Sequence, residues 1–532
     1  MARIMQIVII VSLLLFSFSV FAADDSQDAI PQFDIKNYQV EGNTLIAADK
    51  LESILAPFTG TAKDFGTVQE AVDALEKAYR SHGFTMATVI VPEQEIKDGI
   101  IRLKVIENRI GKINIEGNRF FNEANILNSL PLHQGETPNI NAVSRSLKLA
   151  NENPAKKTNV LFQTSEKEDA IDANVVVKDE KPWKIGITAD NTGDKETYRS
   201  RMGLLLQHAN IFNRDHILTL QYITSPENPK DVNIYSMSYH VPIYSLGSSI
   251  DLIGAYSDVN SGTINVSSYD MNVSGKGKLL GLHYNQNLTR IGNYEHKVIL
   301  GLDYRAYEDD VEFFGTQLGG YVTVHPLSLT YAGIYSFENI VNAGFYLTGM
   351  QNLAGTWDGR DEESNFESAR TGAPRNYNML RYGVNVWYAF FADWKVRAVL
   401  NGQYTNDQLV PGEQYGIGGA NSVRGFYERE FANDRGYSMN AELYTPDLCR
   451  LIGVTFFQTR LLAFYDRGYV SRVDPLPGET HSTEIASIGP GIRITDGKRF
   501  SLSADCGFVV DPPDENTTRW SSVWHLSASI LF

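Results

Sequence analysis

From about Trp183 to Phe532 the sequence is cut into short segments in which apolar and polar residues alternate, separated by clusters of Gly, Asn, Asp and Pro. Alternation at period two places every apolar side chain of a segment on one face of an extended strand, so this region must fold as sheet with one apolar and one polar face. Val298, Leu300, Leu302 and Tyr304 interleave with Ile299, Gly301, Asp303 and Arg305, and Leu380, Tyr382, Val384 and Val386 interleave with Arg381, Gly383, Asn385 and Trp387. A soluble sandwich would bury the apolar face, whereas a membrane barrel would turn it to lipid and keep the polar face in its lumen. Alternation alone is compatible with either.

Three features favour the barrel. Connections alternate between short and long, as in the tight Thr495-Asp496-Gly497-Lys498 and the long, polar Trp357 to Asn378. The chain ends on an aromatic residue that completes an alternating strand, Trp524, Leu526, Ala528, Ile530 and Phe532. About 350 residues at roughly 22 per strand and connection give about 16 strands, enough for an aqueous lumen. The 27 Tyr, 26 Phe and 43 Gly suit strands with aromatic girdles and tight turns.

The N-terminus reads as an export signal: Arg3 supplies a positive start, Ile7 to Val20 an apolar stretch, and Phe21-Ala22-Ala23 a small-residue end, so cleavage is expected after Ala22 or Ala23. Beyond it no stretch approaches the roughly 20 apolar residues of a membrane helix, so any further membrane crossing must use strands. A formal net charge of -16 argues against nucleic acid as a partner, which would need clustered cations. Cys449 in an expected turn and Cys506 on the apolar face of an expected strand are read as unpaired thiols. No metalloprotease helix, nucleophile elbow or phosphate-binding loop is present, so the expectation is no catalytic residue, no cofactor and no metal.

Ahead of residue 180 the chain repeats itself. Val40-Glu41-Gly42-Asn43 recurs as Ile115-Glu116-Gly117-Asn118, and the same spacing carries Leu51 to Ile126 and Leu55 to Leu130. Two copies of one small module follow, each read as strand, helix, helix, strand, strand. Val68, Ala71, Val72, Leu75, Ala78 and Tyr79 fall on one helical face, and Val143, Leu147 and Ala150 mark the matching helix of the second copy. Three-stranded sheets leave edges that could accept an extended peptide as an added strand, although such edges also occur in inert spacers.

Nearly the whole mature chain resembles the two-partner secretion transporters (TpsB, the haemolysin and adhesin secretion/activation proteins of the ShlB/FhaC/HecB type), a POTRA-barrel superfamily related to BamA. Tyr79-Arg80-Ser81-His82-Gly83-Phe84 through Val105-Ile106-Glu107-Asn108-Arg109-Ile110 is similar to the end of that family's first POTRA domain. Asn151-Glu152-Asn153-Pro154 resembles its Asn-x-Asn-Pro step, and Asp190-Asn191-Thr192-Gly193 its opening barrel strand, although Tyr198 stands where a glycine is expected. Gly418-Gly419-Ala420-Asn421-Ser422-Val423-Arg424-Gly425-Phe426 resembles the loop that folds into the lumen, and Phe464-Tyr465-Asp466-Arg467-Gly468 the wall segment facing it.

The resemblance implies that Val423, Arg424, Gly425 and Phe426 form the loop tip, that Arg424 pairs with Asp466, and that Phe464 and Gly468 complete the wall site. Asp466 faces the lumen if Ala463 and Tyr465 face lipid. The bland alternative for Arg424 is an external loop in water, where an ion pair contributes at most about 1 kcal/mol. The resemblance further implies a signal peptide at 1–23, POTRA modules at 33–109 and 110–180, and an all-β outer-membrane barrel of about 16 strands at 183–532 with a lumen loop around 412–432. It implies an unfolded TpsA-like exoprotein client bound by periplasmic POTRA modules, lipid around the barrel and a monomeric state. Some relatives carry a plug helix ahead of the first module; Asp24 to Gln32 is too short for one, which leaves the lumen loop as the expected closure. An assembly factor for other barrels and a passive porin are the rival readings.

Overall fold

The computed structural model describes residues 31–532 apart from 194–197, 259–261, 267–268, 274–275, 309–311, 314–315, 318–319, 339, 356 and 515–516, with backbone alone for 262–266, 269–273, 312–313 and 316–317. The expected signal at 1–23 and most of the stretch after it lie outside the described residues.

The first module is built on a three-stranded sheet whose middle strand, Ile100–Glu107, runs parallel to Asn37–Glu41 and antiparallel to Ala87–Ile90. The helix Phe65–Ser81 buries Val68, Ala71, Val72, Leu75 and Tyr79 against it, the face its spacing predicts. Asp64 starts this helix by accepting the Thr67 N–H at 2.9 Å, satisfying one of its free donors. A two-stranded ribbon of Phe33–Ile35 and Gly60–Lys63 adds to the expected plan; strands of three and four residues are too short to display a period.

The second module repeats the design, with Ala170–Asp179 between the parallel Arg109–Glu116 and the antiparallel Lys156–Thr164. Its helices are Glu123–Asn128 and Ile140–Ala150. The Gly-Asn repeat has a steric cause. Gly42 and Gly117 adopt φ of +79° and +86°, and a Cβ on either would lie 2.3 Å from the carbonyl oxygen of Val105 or Val177 on the middle strand. Only glycine meets both demands. Two residues beyond each valine, a carboxylate collects the amides of the turn: Glu107 accepts from Thr44 (2.7 Å) and Leu45 (3.1 Å), and Asp179 from Phe120 (2.8 Å) and Phe121 (2.9 Å). In the first module Tyr79 also donates to Glu107 at 2.9 Å, and burial together with that carboxylate pushes the phenol's pKa up.

Residues from Trp183 onward form a closed barrel of sixteen antiparallel strands. The eighth strand is interrupted at His325, so that Tyr321–Val324 and Pro326–Phe337 both pair with Tyr294–Glu308. The last strand, Ser522–Leu531, closes on the first, Trp183–Asp190, from Ser527 opposite Asp190 to Leu531 opposite Gly186. The question left open by alternation is answered by the direction of the faces. Leu280, Leu300 and Leu329 point outward and are 62%, 48% and 57% exposed, while Asp303 and Arg305 point inward and are 3% and 9% exposed. A continuous apolar band on the outside of a closed sheet requires lipid.

The two ends of the barrel differ. One carries tight connections such as Phe212 to Asp215 and the turn Tyr244–Leu246, and the second module sits there. The other carries longer segments. The stretch read as a polar loop from Trp357 to Asn378 contains the helix Glu363–Ala369, and Phe366, Ala373 and Tyr377 are buried with Val322, Val324, Met350, Leu409 and Val410. Isolated apolar residues in a polar segment carry no period, which hides such a core from sequence reading. Tyr198, the departure from the expected glycine, adopts φ +63°, a conformation in which glycine is unstrained. Both cysteines are free thiols, Cys449 in a short helix and Cys506 on a barrel strand.

Candidate functional site: a loop packed against the lumen wall

Between the barrel strands Lys395–Thr405 and Arg435–Tyr444 the chain leaves the wall as a long excursion. Its stem is a short hairpin in which Tyr415–Ile417 pairs with Phe431–Asn433. Gly418 and Gly419, at φ +101° and +100°, turn the chain toward its tip. Ile417, Val423 and Phe426 are buried with Val470, Ile485 and Val509 of the wall, an apolar contact beside the polar groups of the lumen. Gly468 faces this tip, and a Cβ there would lie 2.8 Å from Val423 Cγ2. Gly425 adopts φ +95°, and its amide nitrogen would be 2.3 Å from a Cβ on Gly507. Glycines on both surfaces therefore allow backbone to meet wall.

Arg424 is 2% exposed. Its Nε and Nη2 donate to the two carboxylate oxygens of Asp466 at 2.7 and 2.8 Å, a two-pronged match of guanidinium and carboxylate. The Arg424 backbone N–H donates to the same carboxylate at 3.1 Å, and Asn440 Nδ2 at 2.8 Å, so Asp466 is fully engaged. The ring of Phe464 lies 3.5 Å beneath the guanidinium carbon and covers its face. All seven residues singled out from the sequence are thus brought to one patch, in which Asp466 is 0% exposed.

Two further carboxylates complete the patch. Arg424 Nη1 is 2.8 Å from Glu442 and 3.5 Å from Asp505. Each is shared with a wall cation, Glu442 with Arg397 at 3.2 Å and Asp505 with Arg493 at 2.7 Å. The available sequence signal was parity: Glu442 and Asp505 occupy lumen-facing positions of their strands, as do many other polar residues.

The stem has its own anchor, which sequence reading missed. Glu413, fully buried, accepts from Arg305 Nη1 at 2.9 and 3.1 Å and from the Tyr307 hydroxyl at 2.7 Å. Arg305 also reaches Asp303 at 2.7 Å, which His283 meets at 2.8 Å. Asp434, at the far end of the excursion, accepts from Arg370, from the Leu409 N–H at 2.8 Å and from the Val473 N–H at 2.8 Å. The loop is consequently held at tip and stem by charge-assisted bonds out of bulk water, where single partners cannot be lost cheaply.

Residues 169–494 match the family model for haemolysin secretion/activation proteins of the ShlB/FhaC/HecB type, and residues 33–108 match the ShlB-type POTRA domain. The heme/hemopexin transporter protein HuxB of Haemophilus influenzae is 21% identical over 504 residues, covering 91% of this chain and 84% of that protein. The outer membrane transporter CdiB of Dickeya dadantii is 19% identical over 421 residues, covering 78% and 72%. The solved structure of CdiB from Escherichia coli superposes with a TM-score of 0.76 at 17% identity, covering 96% of this chain and 92% of the other.

Proposed function

The chain belongs to the haemolysin secretion/activation family of the ShlB/FhaC/HecB type, and on that footing we propose how its parts divide the work of exporting an unfolded adhesin- or haemolysin-type exoprotein. It is an outer-membrane two-partner secretion transporter whose POTRA modules lie in the periplasm. The apolar outer face of the barrel meets lipid, and one chain makes one pore. The client adds as a strand to a POTRA sheet edge, either Ala87–Ile90, where Glu76 must first release the Val89 N–H, or Lys156–Thr164 beyond Thr158, whose N–H and carbonyl are bonded to Asn151, and backbone hydrogen bonds of about 0.5–1.5 kcal/mol each hold it without regard to sequence. The Arg424 loop then leaves the wall and the client threads outward. No nucleotide-binding motif is present in the sequence, and folding of the client outside, worth several kcal/mol for a stable domain, opposes its return.

The observation that carries this reading is the loop itself, an arginine-tipped segment seated on the lumen wall by ion pairs at its tip and at its stem. A passive pore has no use for it or for two peptide-binding modules. The test is a comparison, by mass spectrometry, of culture medium and cell surface from host cells with and without the protein. Loss of one large exported protein with other barrels unchanged is expected, and a general fall in outer-membrane barrels would instead identify an assembly factor. Arg424→Ala is expected to reduce secretion while leaving the barrel inserted; normal secretion would remove the loop from the mechanism.

A further inference from the structure

The second POTRA module is fastened to the barrel by a buried polar joint. The Lys156 ammonium lies 2.6 Å from Asp215 and 2.9 Å from Asn125 Oδ1, and the side chains of the ion pair are 0% and 1% exposed. Asp215 belongs to the first tight turn of the barrel, and the hydroxyl of Tyr244, in the next turn, donates to it at 2.6 Å. Asn125 donates to Asp215 at 3.1 Å and to the Asn213 carbonyl at 3.0 Å. Asn153, from the Asn-x-Asn-Pro step, donates to the Ala209 carbonyl at 2.7 Å. Around these bonds Phe121 and Ala155 of the module are buried with Ala209 of the barrel. Separating the two surfaces would expose apolar area and break all of these bonds together, which describes a joint rather than a hinge.

This joint places the helix Ile140–Ala150 and the residues after it across part of the mouth. Ser144, Lys148 and Glu152 line the same cavity of about 1610 Å³ as Asp303 and Arg305 of the lumen wall. Lys148 reaches Glu295 at 3.4 Å, and Asn287 donates to Glu152 at 3.3 Å. A second cavity, of about 800 Å³, opens at the same end of the barrel between the strands Pro326–Phe337 and Gln458–Ser471. Trp387, Lys395 and Arg450 line it, and no residue of the module does. Arg460 and Asp393 within it engage each other at 2.6 Å, and Asp447 is occupied by the amides of Cys449 and Thr459. Lys395 and Arg450 form no ion pair among the described residues.

We propose that the second POTRA module stays fixed to the barrel throughout transport, roofing one side of the periplasmic mouth, and that the unfolded client enters through the uncovered vestibule at Trp387, Lys395 and Arg450. An extended polypeptide suits this vestibule: its carbonyl oxygens and carboxylates find Arg450 and, beside Asp393, Lys395, and its apolar side chains find the part of the Trp387 indole that Arg397 and Tyr444 leave uncovered. The inference rests on the transport reading above.

Two measurements on the full-length protein in secreting cells decide it. A Cβ placed on Gly247 lies 3.5 Å from the Cβ of Arg145, within the span of a disulfide. Arg145→Cys with Gly247→Cys should therefore cross-link module to barrel on oxidation, and the oxidised protein is expected to secrete as well as its reduced form. Secretion lost on oxidation and regained with a reductant would overturn the fixed joint. Gly247 has φ +64°, where cysteine is strained, so the second measurement does not depend on it. A photo-cross-linking phenylalanine derivative is placed at Trp387 or at Ser144, and the client is stalled in transit by a folded C-terminal fusion. Capture is expected to be at least several-fold stronger from Trp387, and equal or stronger capture from Ser144 would overturn the route. Cells carrying the unaltered protein that export no client would sink the transport reading itself. Normal export with capture at Ser144 would sink only the entry path.

Discussion

Removing the Arg424 side chain should loosen the loop by an amount that the geometry bounds. Arg424→Ala deletes the paired bonds to Asp466 at 2.7 and 2.8 Å, the contact to Glu442 at 2.8 Å and the cover over Phe464. Glu442 and Asp505 keep Arg397 and Arg493, so the group left uncompensated is Asp466, with only Asn440 and one backbone N–H. Leaving one buried member of an ion pair unmatched costs about 3–5 kcal/mol. That is roughly two to three and a half powers of ten in the ratio of seated to released loop. Hydrogen exchange read by mass spectrometry on the 417–426 segment measures the ratio directly, since its protected amides exchange through the released state. Adding Asp466→Asn to Arg424→Ala should restore part of the protection, because the unmatched charge is then gone. Exchange accelerated by less than tenfold in Arg424→Ala, or losses in the double variant that simply add, would refute a seat dominated by this pair.

The stem and the modules yield two more expectations. Glu413→Gln removes the charge that Arg305 meets while keeping shape, so the 411–417 segment should exchange faster whereas the 423–426 tip changes less; uniform acceleration would mean that tip and stem release together. Gly117→Ala must force its methyl group against the Val177 carbonyl at 2.3 Å and should expose the second module to limited proteolysis, with Gly42→Ala doing the same to the first; wild-type resistance in either would refute the steric account of the repeat.

What could be read in advance followed the reach of periodicity. Period two fixed the faces of strands such as Tyr294–Glu308, and parity then placed Asp466 inward together with Phe464 and Gly468. Period 3.6 located the buried face of Phe65–Ser81. Arg424 needed more than pattern, because an Arg-Gly pair in a loop is commonplace in water and the resemblance supplied its lumenal place. Glu442 and Asp505 stayed hidden since every strand offers inward polar residues and pairing depends on strand order around a closed sheet. Glu413 lies 108 positions from Arg305, and Lys156 lies 59 from Asp215, so no local spacing joins either pair.

Charge balance would let the loop that is proposed to leave the wall be firmly seated and still releasable. At the tip three carboxylates, Glu442, Asp466 and Asp505, face three guanidinium groups, Arg397, Arg424 and Arg493, of which the loop contributes one. At the stem the loop contributes the carboxylate Glu413, while the wall holds Arg305, Arg381 and Asp303. Withdrawal therefore leaves one unmatched negative charge where the tip sat and one unmatched positive charge where the stem sat. Water entering the vacated lumen hydrates both, so the wall does not pay the full low-dielectric penalty once the path is open. Substituting a single partner gives no such relief while the loop remains seated, because the orphaned charge stays buried. The same ion pairs thus cost more to damage in the closed state than to separate in the open one, a property that an apolar plug of equal area would lack.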